Sequence, residues 1–254
     1  MGKRDQYIGV FDSGVGGISV LRRLLEVLPN EKYLYFGDSI NAPYGVRTEE
    51  EVRQLSLAAM EKMVARGIKA FVIACNTATA AAVEALRAKY PDFIIVGIEP
   101  AVKLAADRHP GGHIGVMATP GTLKSPRVLG LIDRFRGDCQ IEMLPAPGLA
   151  DLVEANKQNG PEGEALLRPW LEPLVGKLDA LVLGCTHYPF AEEMLQKILG
   201  EHTELLDGGP GVARQTKRRL EAAGLLREGE GELLVENSMP GDSMIRLSRQ
   251  LLGQ

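Results

Sequence analysis

Cysteine is scarce in this chain, with three residues in 254, at positions 75, 139 and 185. So few thiols, and an odd number, make no disulfide framework and point to a reducing compartment. Histidine is almost as rare, with four residues. No second Cys or His stands at ligand spacing beside Cys185-Thr186-His187, so no metal site is expected. Long apolar runs are missing, and nothing approaches the ~20 residues that span a bilayer. The opening MGKRDQY leads straight towards a strand with no apolar signal segment behind it, which favours a cytoplasmic location. An excess of positive charge is absent too. Lys and Arg number 29 against 33 Asp and Glu, a net charge of −4, which speaks against nucleic acid as a partner. What the chain does have is apolar content, at 45%, enough for one large core or two of ordinary size.

Short β-branched runs alternate with amphipathic stretches of helical length. Strands are expected near Tyr7–Phe11, Lys32–Phe36, Ala70–Ala74, Phe93–Gly97, His113–Met117, Gln140–Leu144, Asp179–Leu183 and Glu204–Leu206. Helices are expected between them, among others over Thr48–Arg66, Ala78–Lys89, Thr122–Arg134 and Phe190–Leu199. Apolar strands in alternation with helices imply an α/β fold with mostly parallel sheets covered on both faces.

Two stretches nearly copy one another. Ala70–Thr77 reads AFVIACNT and Ala180–His187 reads ALVLGCTH, each an apolar run ending in a small residue, a cysteine and polar followers. Upstream, Ile8-Gly9-Val10 is matched by Ile114-Gly115-Val116. The first pair is 110 residues apart and the second 106, so the register is nearly kept. Two pairs in step predict two pseudo-symmetric α/β domains, 1–98 with 207–254 and 99–206, each presenting one thiol. Two equivalent groups suit chemistry on opposite faces of one carbon.

In open parallel sheets ligands bind beyond the carboxyl ends of the strands. Asp12-Ser13, Cys75-Asn76-Thr77 and Cys185-Thr186-His187 all fall there. Free N–H groups and helix dipoles at that edge favour an anion such as a carboxylate. Each residue also has a plainer reading. A lone Cys after a strand is usually a small hydrophobe, which is how Cys139 is read. Asp12 fits an N-cap as well as a partner of Cys75. His187, two residues after Cys185, could relay a proton or promote a thiolate. His109, His113 and His202 are assigned to loops. The glycines of Phe11–Gly17 lack P-loop and dinucleotide spacing and suit a sharp turn over a small ligand. Phe36–Ser39 and Pro43–Gly45 fit a loop that closes over the pocket.

In combination, FDSGVGG at Phe11–Gly17, YFGDS and APYG within Tyr35–Gly45, ACNTATA at Ala74–Ala80 and LGCTHYP at Leu183–Pro189 are specific. Weaker echoes occur at Gly97–Pro100, Ala118–Thr122 and Asp151–Glu154. Across Tyr7 to about Leu220 the chain resembles the glutamate racemases of the cofactor-independent aspartate/glutamate racemase superfamily. The resemblance implies two pseudo-symmetric domains with the active site in the cleft between them. It implies Cys75 and Cys185 as catalytic thiols, with Asp12 and His187 assisting. Asp12, Ser13, Tyr44, Gly45, Asn76, Thr77, Thr186 and His187 would bind substrate. The Ser39–Ala42 loop, Leu144–Gly148 and Asp207–Gly209 depart from the usual pattern.

The implied activity is interconversion of L- and D-glutamate without a cofactor, supplying D-glutamate for peptidoglycan. One thiolate would take the α-proton while the other thiol delivers one to the opposite face. By the resemblance Cys75 serves the D-enantiomer and Cys185 the L-enantiomer, and a homodimer is compatible with the family. The nearest alternative is an aspartate racemase or another superfamily member acting on a related small acid. A periplasmic-type binding module would leave the paired thiols unexplained, and a purely regulatory protein would leave the intact Asp, Cys and His positions so.

Overall fold

The computed structural model describes residues 2–253. The chain divides into two compact units, one of the residues up to Ile98 together with those from Gly209 onward, the other of Glu99–Gly208. Among the described residues the strands are β1 (Tyr7–Asp12), β2 (Lys32–Gly37), β3 (Ile68–Ile73), β4 (Ile94–Gly97), β5 (His113–Ala118), β6 (Gln140–Pro145), β7 (Ala180–Leu183), β8 (Glu204–Asp207) and β9 (Glu232–Asn237). The first unit's sheet runs β4-β3-β1-β2-β9 and the second's β6-β5-β7-β8. Every pairing is parallel. Helices cover the strands, so β3, which reads IKAFVI, is buried along its whole length.

Read from its other edge, the second sheet is β8-β7-β5-β6, strand for strand the order β4-β3-β1-β2. The pairing register repeats as well. Ile8 lies opposite Ala70 in one unit and Ile114 opposite Ala180 in the other. These are the positions that the sequence repeat aligns. β9 has no counterpart in the second unit. Its sequence, ELLVEN, is half-buried at every residue, so it lacks the strong apolar alternation that marks a strand in sequence. It pairs in parallel with β2, from Lys32 opposite Glu232 to Gly37 opposite Asn237.

Two expected helices are interrupted. Thr122–Arg134 resolves into Pro120–Lys124 and Pro126–Asp133. Pro126 has no N–H and disfavours helical backbone at Ser125, which sits at φ −68°, ψ 137° and caps the second helix by accepting from the Val128 N–H. Phe190–Leu199 begins instead as a 3-10 turn over Tyr188–Ala191 and becomes α-helical at Glu192. The long helix Glu49–Ala65 starts where a capping box sets it, with Thr48 and Glu51 satisfying each other's backbone N–H. His113, assigned to a loop as a histidine although a strand was expected over His113–Met117, is the first residue of β5, and its ring Nε2 lies 3.2 Å from Glu142 of β6. No described helix is long and apolar enough to cross a membrane.

The base of the first unit, at the start of β3, holds a buried ion pair. Lys69 Nζ lies 2.5 Å from Glu31, and both side chains are all but fully buried. The ammonium also donates to the carbonyls of Arg4 (2.6 Å) and Leu225 (2.9 Å), while Glu31 accepts from the Arg227 N–H at 2.9 Å. Burial pushes the Lys69 pKa down, and Glu31 opposes that shift. The pair therefore ties β3, the residues ahead of β1 and the segment leading into β9 together at the edge remote from Cys75.

Candidate active site

In the first unit the carboxyl ends of β1, β2 and β3 bring one group of polar residues together. β1 ends in Asp12, wholly buried, whose Oδ1 accepts from the Gly14 N–H at 2.9 Å. This carboxylate is not an N-cap. The helix Ile18–Val27 begins behind Gly17 instead. Ser13 Oγ lies 3.5 Å from Cys75 Sγ. Cys75 follows β3 and caps the helix Asn76–Lys89, its sulfur accepting from the Ala78 N–H at 3.4 Å. A helix N-terminus around a sulfur supports negative charge there.

Asn76 is buried, and neither its Nδ2 nor its Oδ1 has a protein partner. Buried amides are nearly always satisfied, so such an orphan is poised for a ligand. Thr77 is half-buried beside it. β2 leads into Asp38, whose carboxylate accepts from Tyr44 Oη at 2.7 Å and from Asn41 Nδ2 at 3.0 and 3.1 Å. Burial pushes the Tyr44 phenol well above its ordinary range. Asp38, Cys75 and Asp12 add to the shift as negative neighbours. Tyr44 therefore stays a neutral donor, and Gly45 follows it half-buried.

Glycine at 17 is a packing requirement. A Cβ there would stand 2.6 Å from Asp12 Cβ and 3.0 Å from Ala74 Cβ, so the missing side chain makes room for the carboxylate. Gly184, just ahead of Cys185, plays a similar part. Its Cβ would meet Ala118 Cβ at 2.9 Å.

The second unit solves the same placement differently. Cys185 follows β7 but caps no α-helix, since the chain turns through Thr186 and His187 into the short 3-10 segment. Its sulfur lies 3.7 Å from His187 Nδ1, and the far ring nitrogen Nε2 lies 3.0 Å from Glu154 Oε1. With Nε2–H donated to the carboxylate, Nδ1 turns its lone pair towards the Cys185 sulfur. Thr186 and His187 are both buried. Tyr188 is fully buried and donates to the Ala146 carbonyl at 3.0 Å. Desolvation drives its pKa far up, with Cys185 and Asp151 contributing, so it too remains neutral.

The structure thus gathers Asp12, Ser13, Tyr44, Gly45, Asn76 and Thr77 with Cys75 at one sheet edge, and Thr186 and His187 with Cys185 at the other. Two participants were not singled out by sequence reasoning. Asp38 was read only as part of the YFGDS motif and of the closing loop Phe36–Ser39, and Glu154 only by its place in a weak echo. Cys139 is buried, with its thiol 3.5 Å from the His109 carbonyl, in keeping with a small hydrophobe. No group of three or more His, Cys, Asp or Glu able to hold a metal occurs among the described residues.

Two parallel α/β units of one topology, each setting a cysteine after the equivalent strand, define a class of isomerase. The chain belongs to the Asp/Glu/Hydantoin racemase family, whose model matches residues 8–216. Its relatives narrow that class to one kind of enzyme. A glutamate racemase of Clostridium perfringens (strain SM101 / Type A) is 45% identical over 248 residues, covering 96% of this chain and 95% of the relative. The crystal structure of glutamate racemase isoform RacE1 from Bacillus anthracis superposes with a TM-score of 0.89 at 30% identity, over 99% of this chain and 95% of that one. Escherichia coli glutamate racemase, solved in complex with L-glutamate and the activator UDP-MurNAc-ala, gives 0.83 at 34% identity, over 96% and 95%.

Proposed function

We propose that this protein is a glutamate racemase, interconverting L- and D-glutamate by proton transfer between Cys75, Cys185 and the substrate α-carbon, without a cofactor. The observation that carries the reading is the equivalence of the two thiols, one after β3 and one after β7, in repeats of the same strand order. The α-proton of an amino acid is far less acidic than a thiol, which titrates near ~8.5. Catalysis therefore has to stabilise the carbanion as it forms, and donors aimed at the substrate carboxylate do so while charge flows onto its oxygens. The unpartnered Asn76 amide, with Ser13, Thr77 and Thr186, supplies such donors.

One cysteine as thiolate removes the α-proton, and the other as thiol delivers its own to the opposite face. In the reverse direction their protonation states exchange. The Ser13 hydroxyl and the helix N-terminus support Cys75 as a thiolate, while His187, held by Glu154, exchanges the proton of Cys185. We assign the activity to the cytoplasm and to the supply of D-glutamate for peptidoglycan, and expect a homodimer, which sedimentation would test.

The decisive experiment replaces Cys75 or Cys185 singly by alanine. Each variant is expected to lose racemisation of glutamate, followed by circular dichroism without added cofactor. Near-normal racemisation by either variant would reject the two-thiol mechanism. Turnover of aspartate in preference to glutamate would move the enzyme to a sibling activity.

A further inference from the structure

The loop that carries Asp38 and Tyr44 is fastened from one side by residues that come from the far end of the chain. Where β9 ends, Asn237 Nδ2 donates to Ser39 Oγ at 2.9 Å, and Asn237 Oδ1 accepts from the Met239 N–H at 2.8 Å. The next residue adds two more bonds. Ser238 Oγ accepts from the Ile40 N–H at 3.0 Å, and the Ser238 N–H donates to the Gly37 carbonyl at 2.9 Å. The side chain of Asn237 thus spans the end of β2, with its own turn on one side and the Ser39–Asn41 turn on the other.

Its amide also packs on the backbone beside the β1 turn. A Cβ at Gly37 would lie 2.7 Å from Asn237 Nδ2 and 2.4 Å from the Gly14 carbonyl. That carbonyl accepts from Tyr35 Oη at 2.7 Å, and Gly14 is the residue whose N–H holds Asp12. The Asp38 N–H in turn donates to the Asp12 carbonyl at 2.9 Å. Beyond Ser39 the loop is braced internally, by Asp38 with Asn41 and Tyr44 and by Arg47 Nε donating to the Asn41 carbonyl at 2.6 Å. Strand β9, which the second unit lacks, delivers this strap.

We propose that Asn237, seconded by Ser238, is a positioning residue for the substrate loop Asp38–Arg47: it holds Asp38 and Tyr44 in the arrangement that receives the substrate. The proposal rests on the racemase reading for the identity of the substrate, and on geometry alone for the strap. The amide touches no substrate group in this scheme and acts through Ser39. A loop released from its strap populates the binding-ready arrangement less often, and the apparent affinity falls by that fraction. A net hydrogen bond of about 1–1.5 kcal/mol shifts that loop equilibrium about tenfold, which is the ceiling on the loss of apparent affinity.

The test compares the full-length wild type with Asn237→Ala, Ser39→Ala and the double variant, all assayed well below their thermal midpoints. Expected are a KM for glutamate raised in either single variant, by up to about tenfold, with kcat changed less than about twofold, because the bound arrangement is the same. Amide exchange is expected to quicken within Asp38–Arg47 and to stay unchanged in β1 and β3. The double variant should be no worse than the poorer single variant, since both remove one contact. Unaltered KM and unaltered loop exchange would overturn the proposal, as would faster exchange spread through the whole sheet with KM and kcat falling together. If Asn237→Ala does not fold, Ser39→Ala decides the matter from the loop side. A wild type that leaves glutamate untouched would reject the racemase reading, while the exchange comparison would still judge the strap.

Discussion

Substituting Gly17 by alanine tests whether the position of Asp12 governs catalysis. At φ −61° and ψ −9° the backbone of Gly17 suits any L-residue, so alanine brings no conformational strain and removes unfolded-state entropy worth about 0.4–1 kcal/mol. The cost lies in space. The new methyl would stand 2.6 Å from Asp12 Cβ, 3.0 Å from Ala74 Cβ and 3.2 Å from Asp12 Cγ. Carbons pack at about 3.5–4.0 Å, so roughly 1 Å must be found. Neither Cβ can be moved by a side-chain torsion, so the backbone at the end of β1 and the backbone of the Gly17 turn must move apart, which disturbs the seat of the Asp12 carboxylate. Overpacking of this kind costs about 1–3 kcal/mol, and after the entropic gain at most about 2.6 kcal/mol remains. In a chain of this size that lowers the thermal midpoint by no more than about 10 °C. A shift of about 1 Å in a catalytic group costs on the order of 100-fold in rate. Activity should therefore fall far more than stability. Gly130→Ala supplies the control. It lies inside the helix Pro126–Asp133 with nothing within 4 Å of an added Cβ, and alanine there should stabilise by up to about 1 kcal/mol. Racemisation by circular dichroism and thermal melts of both variants give the comparison. A Gly17→Ala enzyme within about threefold of wild-type activity would refute the reasoning about Asp12.

The buried ion pair makes a second prediction. Lys69→Met leaves Glu31 charged and buried and should cost about 3–5 kcal/mol in denaturant unfolding, whereas the double variant Glu31→Leu, Lys69→Met should recover most of it. On the surface, Lys197 and then Arg168 hold the Glu164 carboxyl at about 2, below its ordinary 4.5. With the folded value depressed, its contribution is present above about pH 4.5 and is lost as the pH falls towards about 2. Carbon-13 NMR titration should find the low value. Because the carboxyl is exposed, added salt should move it back upward.

The strands β1 to β8 were legible because a parallel sheet buried on two faces writes itself as β-branched runs, as in IKAFVI and ALVL. The repeat was legible because the same strand had to end in the same small residue and cysteine in each unit. The residues at the strand ends followed from where parallel sheets place ligands. What stayed hidden depends on long-range contacts. Nothing near Glu154 in sequence says that it meets a histidine 33 positions later. β9 is half-buried at every residue, and it is a strand because β2 offers an edge. The break at Ser125 was local and readable from Pro126, but a single helical period across Thr122–Arg134 obscured it.

The first unit is discontinuous, since its fifth strand belongs to a segment that begins only after the second unit is complete. During synthesis the second unit is one uninterrupted stretch and can close as soon as Gly208 has left the ribosome. By then β1 to β4 have long been exposed, and the outer edge of β2 has no partner until Glu232–Asn237 arrives. A bare parallel edge is a template for the wrong strand, so throughout this interval the nascent chain is open to mispairing along β2.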